Sequence, residues 1–386
     1  MGRFLNGPGG AGTDGVTDLF FFGTLCHMPL LRAVLGRDAD AVPAVMHEFS
    51  VFWVQHQAFP MILPTAGGVA QGVLVRGLGP DDLARLDFYT GSYSVEKRQM
   101  QVVSAEGAAR ATVYFPDSSV WVAGRPWHIA DWAARWGDTV TATAGDVMAL
   151  MGAPEATTIA GRRGQMLVRG AARVRAGLPG PTSLRRQMAA GDVVVQARHY
   201  PYANFFSVEE YDLSYRRFDG TMSRVVNRAT FISGDAVTVL PYDPVRDRVL
   251  LIEQFRAGPF ARGDANPWQL EVIAGRIDPG ESADDAARRE AVEEAGLVLG
   301  DLLPVAGYYP TPGAKAEFLY SYVALCDLPD DCAGVFGVDG EAEDIRGHLV
   351  SFDRLMELVT SGEASNAPVV LTALWLQRER SRLRGL

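Results

Sequence analysis

The sequence predicts a two-domain chain of mixed α+β and α/β character, and three observations carry that reading. Its 386 residues make it roughly two to three times as long as a typical domain. Its composition, 48% apolar and 21% charged, is that of ordinary globular proteins. Its first half is β-rich with a few helical stretches, and its second half restarts with strands and closes with helices. The boundary is expected near residue 185. Residues 1–17 then form a mobile Gly-rich tail, 18–185 a first domain with connecting helices, and 186–386 a second domain.

Several classes are set aside by composition. No window approaches the roughly 18 uninterrupted apolar residues that a membrane span needs, so no membrane partner is expected. The first 18 residues hold six Gly, one Pro and two Asp with no apolar stretch, so no secretory signal is expected and a cytoplasmic location is. Cys26, Cys326 and Cys332 form neither a disulfide framework nor a CxxC pair, and reduced thiols are the expectation. The formal charge of −10, from 46 acidic and 36 basic side chains, argues against nucleic acid as a partner.

Taken in order, Leu19-Phe20-Phe21-Phe22 closed by Gly23-Thr24 reads as a buried strand ending in a turn, and residues 30–35 have helical spacing. Residues 48–75 alternate apolar segments with Pro60, Pro64 and Gly67-Gly68. Residues 81–86 read as a short helix, and 98–103 with 111–115 as a strand pair. Residues 129–136 and 144–151 resemble amphipathic helices, whereas 161–180, dense in Arg and Gly, reads as the connection between halves.

In the second half, residues 193–198, 205–215, 224–231 and 236–242 are strand-like, and Pro244-Val245-Arg246-Asp247 supplies a tight turn into 249–255. An antiparallel or mixed sheet follows. Residues 282–294 read as a strong helix, 318–326 as a strand, and 352–361 and 369–380 as closing helices.

One segment carries chemistry. From residue 275 the chain reads Gly275, five residues, Glu281, seven residues, Arg289-Glu290-Ala291, one residue, Glu293-Glu294, one residue, Gly296-Leu297. Seven such identities coincide at a given start about once in 10⁸ at average residue frequencies. On a helix, Glu290, Glu293 and Glu294 are three and four residues apart, so their carboxylates share nearly one face. An arbitrary Glu-rich helix face is ordinarily just solvated, but a fixed spacing of Gly, Arg and Glu is not arbitrary. Hard oxygen ligands of this kind suit Mg²⁺, or Mn²⁺, which keeps waters and binds substrate phosphates as well. Arg289 is placed to pair with Glu281 or Glu293. Gly275 and Gly280 are expected to let the preceding loop turn sharply, stiffened by Pro279, so that the Ala274 carbonyl faces the metal.

This pattern is identified as the Nudix box, with Ala291 where a bulkier aliphatic is usual. Its flanks, Ile252-Glu253-Gln254-Phe255-Arg256, the run from Pro267-Trp268 to Ala274-Gly275, and Thr311-Pro312-Gly313 with Glu317, resemble the ADP-ribose pyrophosphatase subfamily, as does the placement of Pro312 fifteen residues past the box. The resemblance extends from about residue 195 to the end. It implies an α/β/α sandwich with a mixed sheet and hydrolysis of ADP-ribose, or a related nucleoside diphosphate, to AMP and ribose 5-phosphate. By it, Glu290, Glu294 and the Ala274 carbonyl bind metal, and Glu293 completes the catalytic acids. Arg256 contacts the diphosphate or terminal ribose, Gly275 and Pro312 adjoin the substrate, and Phe205 and Arg228 hold adenine from the other subunit of a homodimer. The base that activates water is Glu341 or Glu343, in a loop whose Gly/Asp/Glu richness also suits plain solvated surface. Other nucleoside diphosphate conjugates, such as nucleotide sugars or NADH, and a non-catalytic ADP-ribose sensor, are the alternatives.

In the first half, Phe22-Gly23-Thr24-Leu25 and the run from Leu83 to Tyr93 resemble the gamma-glutamylcyclotransferase-like family, which implies a small β-barrel with helices. Thr90 stands where that family presents its catalytic glutamate before a Gly. A hydroxyl is no proton-transferring base at neutral pH, so an inactive domain is expected, with a bifunctional enzyme as the alternative. Cys26 and His27 are adjacent and point apart on any regular element. The fusion of the two halves resembles a tellurite-resistance Nudix protein of bacteria.

Overall fold

The computed structural model describes residues 16–93, 95–152, 159–337 and 344–385. The chain divides into two compact units, 1–174 and 175–386, where the sequence places the boundary near 185. Most of the expected tail, residues 1–15, lies outside the described residues, and Thr17 already begins a strand.

The first unit contains β1 (Thr17–Phe21), α1 (Met28–Leu35), β2 (Ala41–Val54), β3 (Pro60–Leu78), α2 (Pro80–Thr90), β4 (Val95–Ser104), β5 (Gly107–Pro116), β6 (Ala123–Pro126), α3 (Ile129–Trp132) and α4 (Asp138–Ala149). The sheet runs β3-β1-β5-β4-β2-β6, and β2 also pairs with β3. Five strands therefore close into a barrel, with β6 attached outside the closure. The apolar run read as a buried strand is its middle: β1 pairs antiparallel with β3 and parallel with β5. Closure brings β3 tightly onto β1 at Gly72, where a side chain would run into the Phe21 carbonyl and the Phe20 ring. Phe20, Met46, Ile62, Leu74, Val102 and Val113 fill the interior, each contributing about 1.5–3 kcal/mol through burial. The long β2 strand bends at a bulge between His47 and Phe49, with Glu48 at φ 64°.

The Arg- and Gly-dense stretch read as the connection between halves contains a long helix, α5 (Ile159–Ala176). Its Gly170 is a contact surface: a Cβ there would meet the Thr143 hydroxyl and the Thr139 carbonyl of α4. Thr143 Oγ1 donates to the Thr139 carbonyl at 2.7 Å. Packing between helices thus outweighs the weak helix propensity of glycine.

The second unit contains β7 (Val193–Ala203), β8 (Ser207–Tyr215), β9 (Val226–Ile232), β10 (Ala236–Asp243), β11 (Arg248–Phe255), α6 (Ala257–Arg262), β12 (Trp268–Glu271), β13 (Ile273–Arg276), α7 (Ala283–Ala295), β14 (Leu302–Tyr308), β15 (Lys315–Ala316), β16 (Leu319–Leu325), β17 (Val335–Phe336), β18 (Ile345–Ser351), α8 (Phe352–Ser361) and α9 (Ala367–Leu383). The larger sheet is mixed, in the order β14-β16-β10-β11-β18-β17, with β10 and β16 parallel over seven residue pairs. Alternation along β11 sends Leu250 and Ile252 into a core shared with α7, and Val249 and Leu251 into one shared with α8 and α9. The result is the α/β/α sandwich.

One feature of this sheet positions the site. β10 and β11 pair only at Tyr242–Val249 and Asp243–Arg248. Beyond that point they part, with β13 taking Ala236 to Val239 of β10 and β12 taking Ile252 to Phe255 of β11. Residues 268–276 are thus inserted into the opening, directly before α7. A smaller sheet, β15-β9-β8-β7, completes the unit.

Candidate active site

α7 is bounded by strong local signals. The Ser282 hydroxyl accepts the Asp285 N–H at 3.1 Å, Asp284 and Asp285 lie in the first turn, and Gly296 ends the helix at φ 62°. Ala286, Ala287, Ala291 and Ala295 face the sheet and are almost wholly buried. Small residues on that face bring the helix close to β13, and Ala291, the departure from the usual pattern, belongs to this contact.

The adjacent face carries the acids. Glu294 is buried, at 3% exposure, and its Oε2 accepts the Ala274 N–H at 3.0 Å. Glu290 lies against Gly275 so closely that a Cβ on residue 275 would overlap its carboxylate. Gly275 therefore serves by lacking a side chain within β13; the expected sharp turn belongs to Gly280, at φ 81°. Glu293 points outward, its side chain 38% exposed.

Arg289 binds this group together. It donates to Glu281 at 3.0 Å, to Glu290 at 2.7 Å, to Glu293 at 2.9 Å and to the Arg276 carbonyl at 2.9 Å. Burial opposes its charge, but the hydrogen bonds to Glu281 and Glu290 outweigh burial and raise its pKa. Glu281 also accepts the Asp278 N–H at 3.0 Å, which fixes the loop before α7.

Arg256, at the start of α6, donates through Nε and Nη2 to Glu271 at 3.0 and 2.6 Å. Phe205 lies between β7 and β8, and the Arg276 guanidinium sits over its ring, 3.9 Å from the centroid. Arg228 is exposed on β9 and donates to the Asn227 carbonyl. Pro312 is exposed in a turn whose Ala314 carbonyl accepts the Phe231 N–H at 2.9 Å. The structure thus ties Glu290 and Glu293 to Arg289, sets Glu294 on Ala274 and Glu290 on Gly275, and places the Arg276 side chain on Phe205. Arg228 and the turn of Pro312 belong instead to the smaller sheet and its margin. Glu341 and Glu343 lie outside the described residues.

Among the described residues no group of three His, Cys, Asp or Glu side chains is set to hold a metal ion. Two carboxylates converging on the Ala274-Gly275 backbone suit a hard cation that completes its shell with water and phosphate.

In the first unit, a small pocket of about 80 Å³ is lined by Phe22, Gly23, Thr24, Tyr89, Thr90 and Tyr93 among others, with no acidic side chain among the described residues of its wall. The Thr90 hydroxyl donates to the Leu86 carbonyl at 2.7 Å. Glu96 lines a different hollow and pairs with Arg98 at 2.6 Å. Cys26 donates to the Phe21 carbonyl at 3.0 Å, and burial pushes its thiol pKa up to about 12, which disfavours the thiolate. No helix of the described residues is long and apolar enough to cross a membrane.

Residues 233–372 match the model of the NUDIX domain. An ADP-ribose pyrophosphatase of Escherichia coli (strain K12) is 40% identical over 205 residues, spanning 53% of this chain and 97% of that protein. The chain belongs to the Nudix hydrolase family. A second relative of this Nudix unit, an ADP-ribose pyrophosphatase of Haemophilus influenzae, is 31% identical over 50% of this chain and 89% of its own. A GDP-mannose pyrophosphatase of Salmonella paratyphi B is 29% identical over 45% and 89%. A solved structure titled as an ADP compounds hydrolase aligns with 50% of the chain and 98% of its own at TM-score 0.38 and 23% identity. Ahead of the Nudix domain, residues 19–134 match the gamma-glutamyl cyclotransferase, AIG2-like model.

Two residues of the Nudix site carried no assigned role in the sequence. Glu271 on β12, the partner of Arg256, lies opposite Ile252, so local sequence gave no sign of the pairing. Arg276 follows Gly275 directly, and nothing local in the sequence points it toward Phe205.

Proposed function

We propose that the chain hydrolyses the diphosphate of ADP-ribose, and that Glu290 and Glu294 hold Mg²⁺, or Mn²⁺, together with the Ala274 carbonyl. The observation that carries this reading is the convergence of those two carboxylates on the Ala274-Gly275 backbone, beside a relative of 40% identity named as an ADP-ribose pyrophosphatase. A bound divalent cation supplies charge neutralisation at the diphosphate and a lower pKa for its water.

The chain's own residues do the rest. Arg256 donates its planar guanidinium to phosphate or terminal ribose oxygens, held ready by Glu271. Phe205 and Arg228 hold adenine, in a homodimer. Glu341 or Glu343 takes the proton of the attacking water while Glu293 keeps Arg289 in place. One P–O bond forms to water and the bridging P–O bond breaks, giving AMP and ribose 5-phosphate. The first unit, with Thr90 in its pocket wall and no acid there, performs no cyclotransfer.

The test is hydrolysis by the full chain with Mg²⁺ and with EDTA, products separated by chromatography, beside NADH and a panel of nucleotide sugars. Metal-dependent AMP and ribose 5-phosphate, formed fastest from ADP-ribose, are expected. Faster cleavage of a nucleotide sugar would move the substrate, and binding of ADP-ribose without any cleavage would make the protein a sensor.

A further inference from the structure

The pocket of the first unit is hostile to charge. It holds about 80 Å³, where a single water needs about 10–15 Å³, so it has room for one small ring. Phe22, Phe59, Tyr89, Tyr93 and Tyr114 bring aromatic rings to its wall, and among the described residues that line it there is no Asp, Glu, Lys, Arg or His. An ion entering here would give up its water and gain no charged partner, which is costly.

Two hydroxyls of the wall are already committed as donors. Thr90 gives its proton to the Leu86 carbonyl at 2.7 Å, and Tyr114 gives its own to Asp87 at 2.7 Å. Each oxygen is left with lone pairs, which repel a carboxylate and accept from an O–H or N–H. Two of the rings already meet a cation, because the Arg163 guanidinium lies 4.9 Å from the centroid of Tyr89 and 4.4 Å from that of Tyr93. A ligand cation placed against the same rings would be repelled by it.

The wall is also preformed. The Phe59 ring meets Tyr93 at 4.7 Å and Trp121 at 5.0 Å, both edge-on, and Trp121 Nε1 donates to the Tyr93 carbonyl at 3.0 Å. Rings held in this way lose little freedom when a ligand arrives.

We infer that this pocket binds a small, uncharged, planar compound carrying one O–H or N–H donor, which the oxygens of Thr90 and Tyr114 accept. The γ-glutamyl compounds for which the family matched by residues 19–134 is named carry an ammonium and carboxylates, and the wall offers no partner for those charges.

The experiment titrates the full chain at pH 7 by ligand-observed NMR, with phenol, toluene, benzoate, benzylammonium and a γ-glutamyl dipeptide as probes. Phenol is expected to bind with Kd below about 1 mM. Toluene, which lacks the donor, should bind about three- to tenfold more weakly, and the charged probes and the dipeptide at least about tenfold more weakly than phenol. Thr90→Val removes the accepting oxygen at nearly constant shape and should weaken phenol by about three- to tenfold while leaving toluene unchanged. Thr90→Glu puts an acid in the wall and should abolish phenol binding. Circular dichroism checks both variants, and if Thr90→Glu does not fold, Thr90→Val and the wild-type series decide. A charged probe or the dipeptide binding as tightly as phenol, phenol affinity unchanged in Thr90→Val, or no neutral probe held below about 1 mM would overturn the assignment.

Discussion

The Glu294 carboxylate accepts the backbone N–H of Ala274 at 3.0 Å while 3% exposed, so a helix acid and a strand amide hold each other inside the second unit. Glu294→Gln keeps the size and one acceptor but removes the charge. The expected outcome is a fall in kcat/KM of at least about 100-fold, about 2.7 kcal/mol of transition-state stabilisation, with the fold retained. Near-normal turnover, measured over a range of Mg²⁺ concentrations, would remove Glu294 from the metal ligands.

Gly275→Ala places a methyl group where the Glu290 carboxylate lies. Overpacking of this kind costs about 1–3 kcal/mol. A lowered thermal midpoint together with at least a tenfold loss of turnover is expected. A fully active, equally stable variant would mean that Glu290 has room to move without consequence.

Arg256→Lys retains charge and loses the two-nitrogen contact with Glu271. An ammonium does not reproduce that fork, so KM for ADP-ribose should rise by about tenfold, with kcat changed less. Steady-state kinetics at saturating Mg²⁺ reads this directly, and an unchanged KM would free Arg256 from substrate contact.

Asp247 links the β10–β11 turn to α9, accepting from Arg380 at 2.9 Å and Tyr242 at 2.8 Å and forming an ion pair with Arg384 at 2.7 Å. The Arg380 hydrogen bond, opposed by burial, holds its carboxyl below the usual range. A depressed folded pKa contributes stability above the unfolded value, and that contribution is lost as pH falls through the folded pKa. Asn tolerates the left-handed backbone at φ 57°, so Asp247→Asn isolates the charge. It should cost about 1–3 kcal/mol at pH 7, and the gap to wild type in urea unfolding should narrow below about pH 4. A gap that stays constant with pH would assign the effect to packing.

The acid cluster was legible because three- and four-residue spacing on a helix maps directly onto one face. Its division was not: Glu294 turns to Ala274 while Glu293 turns to solvent, and only the closeness of β13 decides that. The helix over residues 159–176 was illegible for a related reason, since the value of Gly170 lies on the opposing surface of α4. The parting of β10 and β11 depends on strand register, which local pattern does not carry. Arg276 was missed because its partner ring stands in a loop far earlier in the chain.

The web around Arg289 has a thermodynamic meaning for α7. Glu290, Glu293 and Glu294 on one helix face would repel one another, yet a single guanidinium already bridges two of them, Glu290 and Glu293, and ties both to Glu281 in the preceding loop. The helix therefore carries its own internal counter-ion. On the proposed metal assignment, loading a cation would be an exchange at Glu290, one positive partner for another.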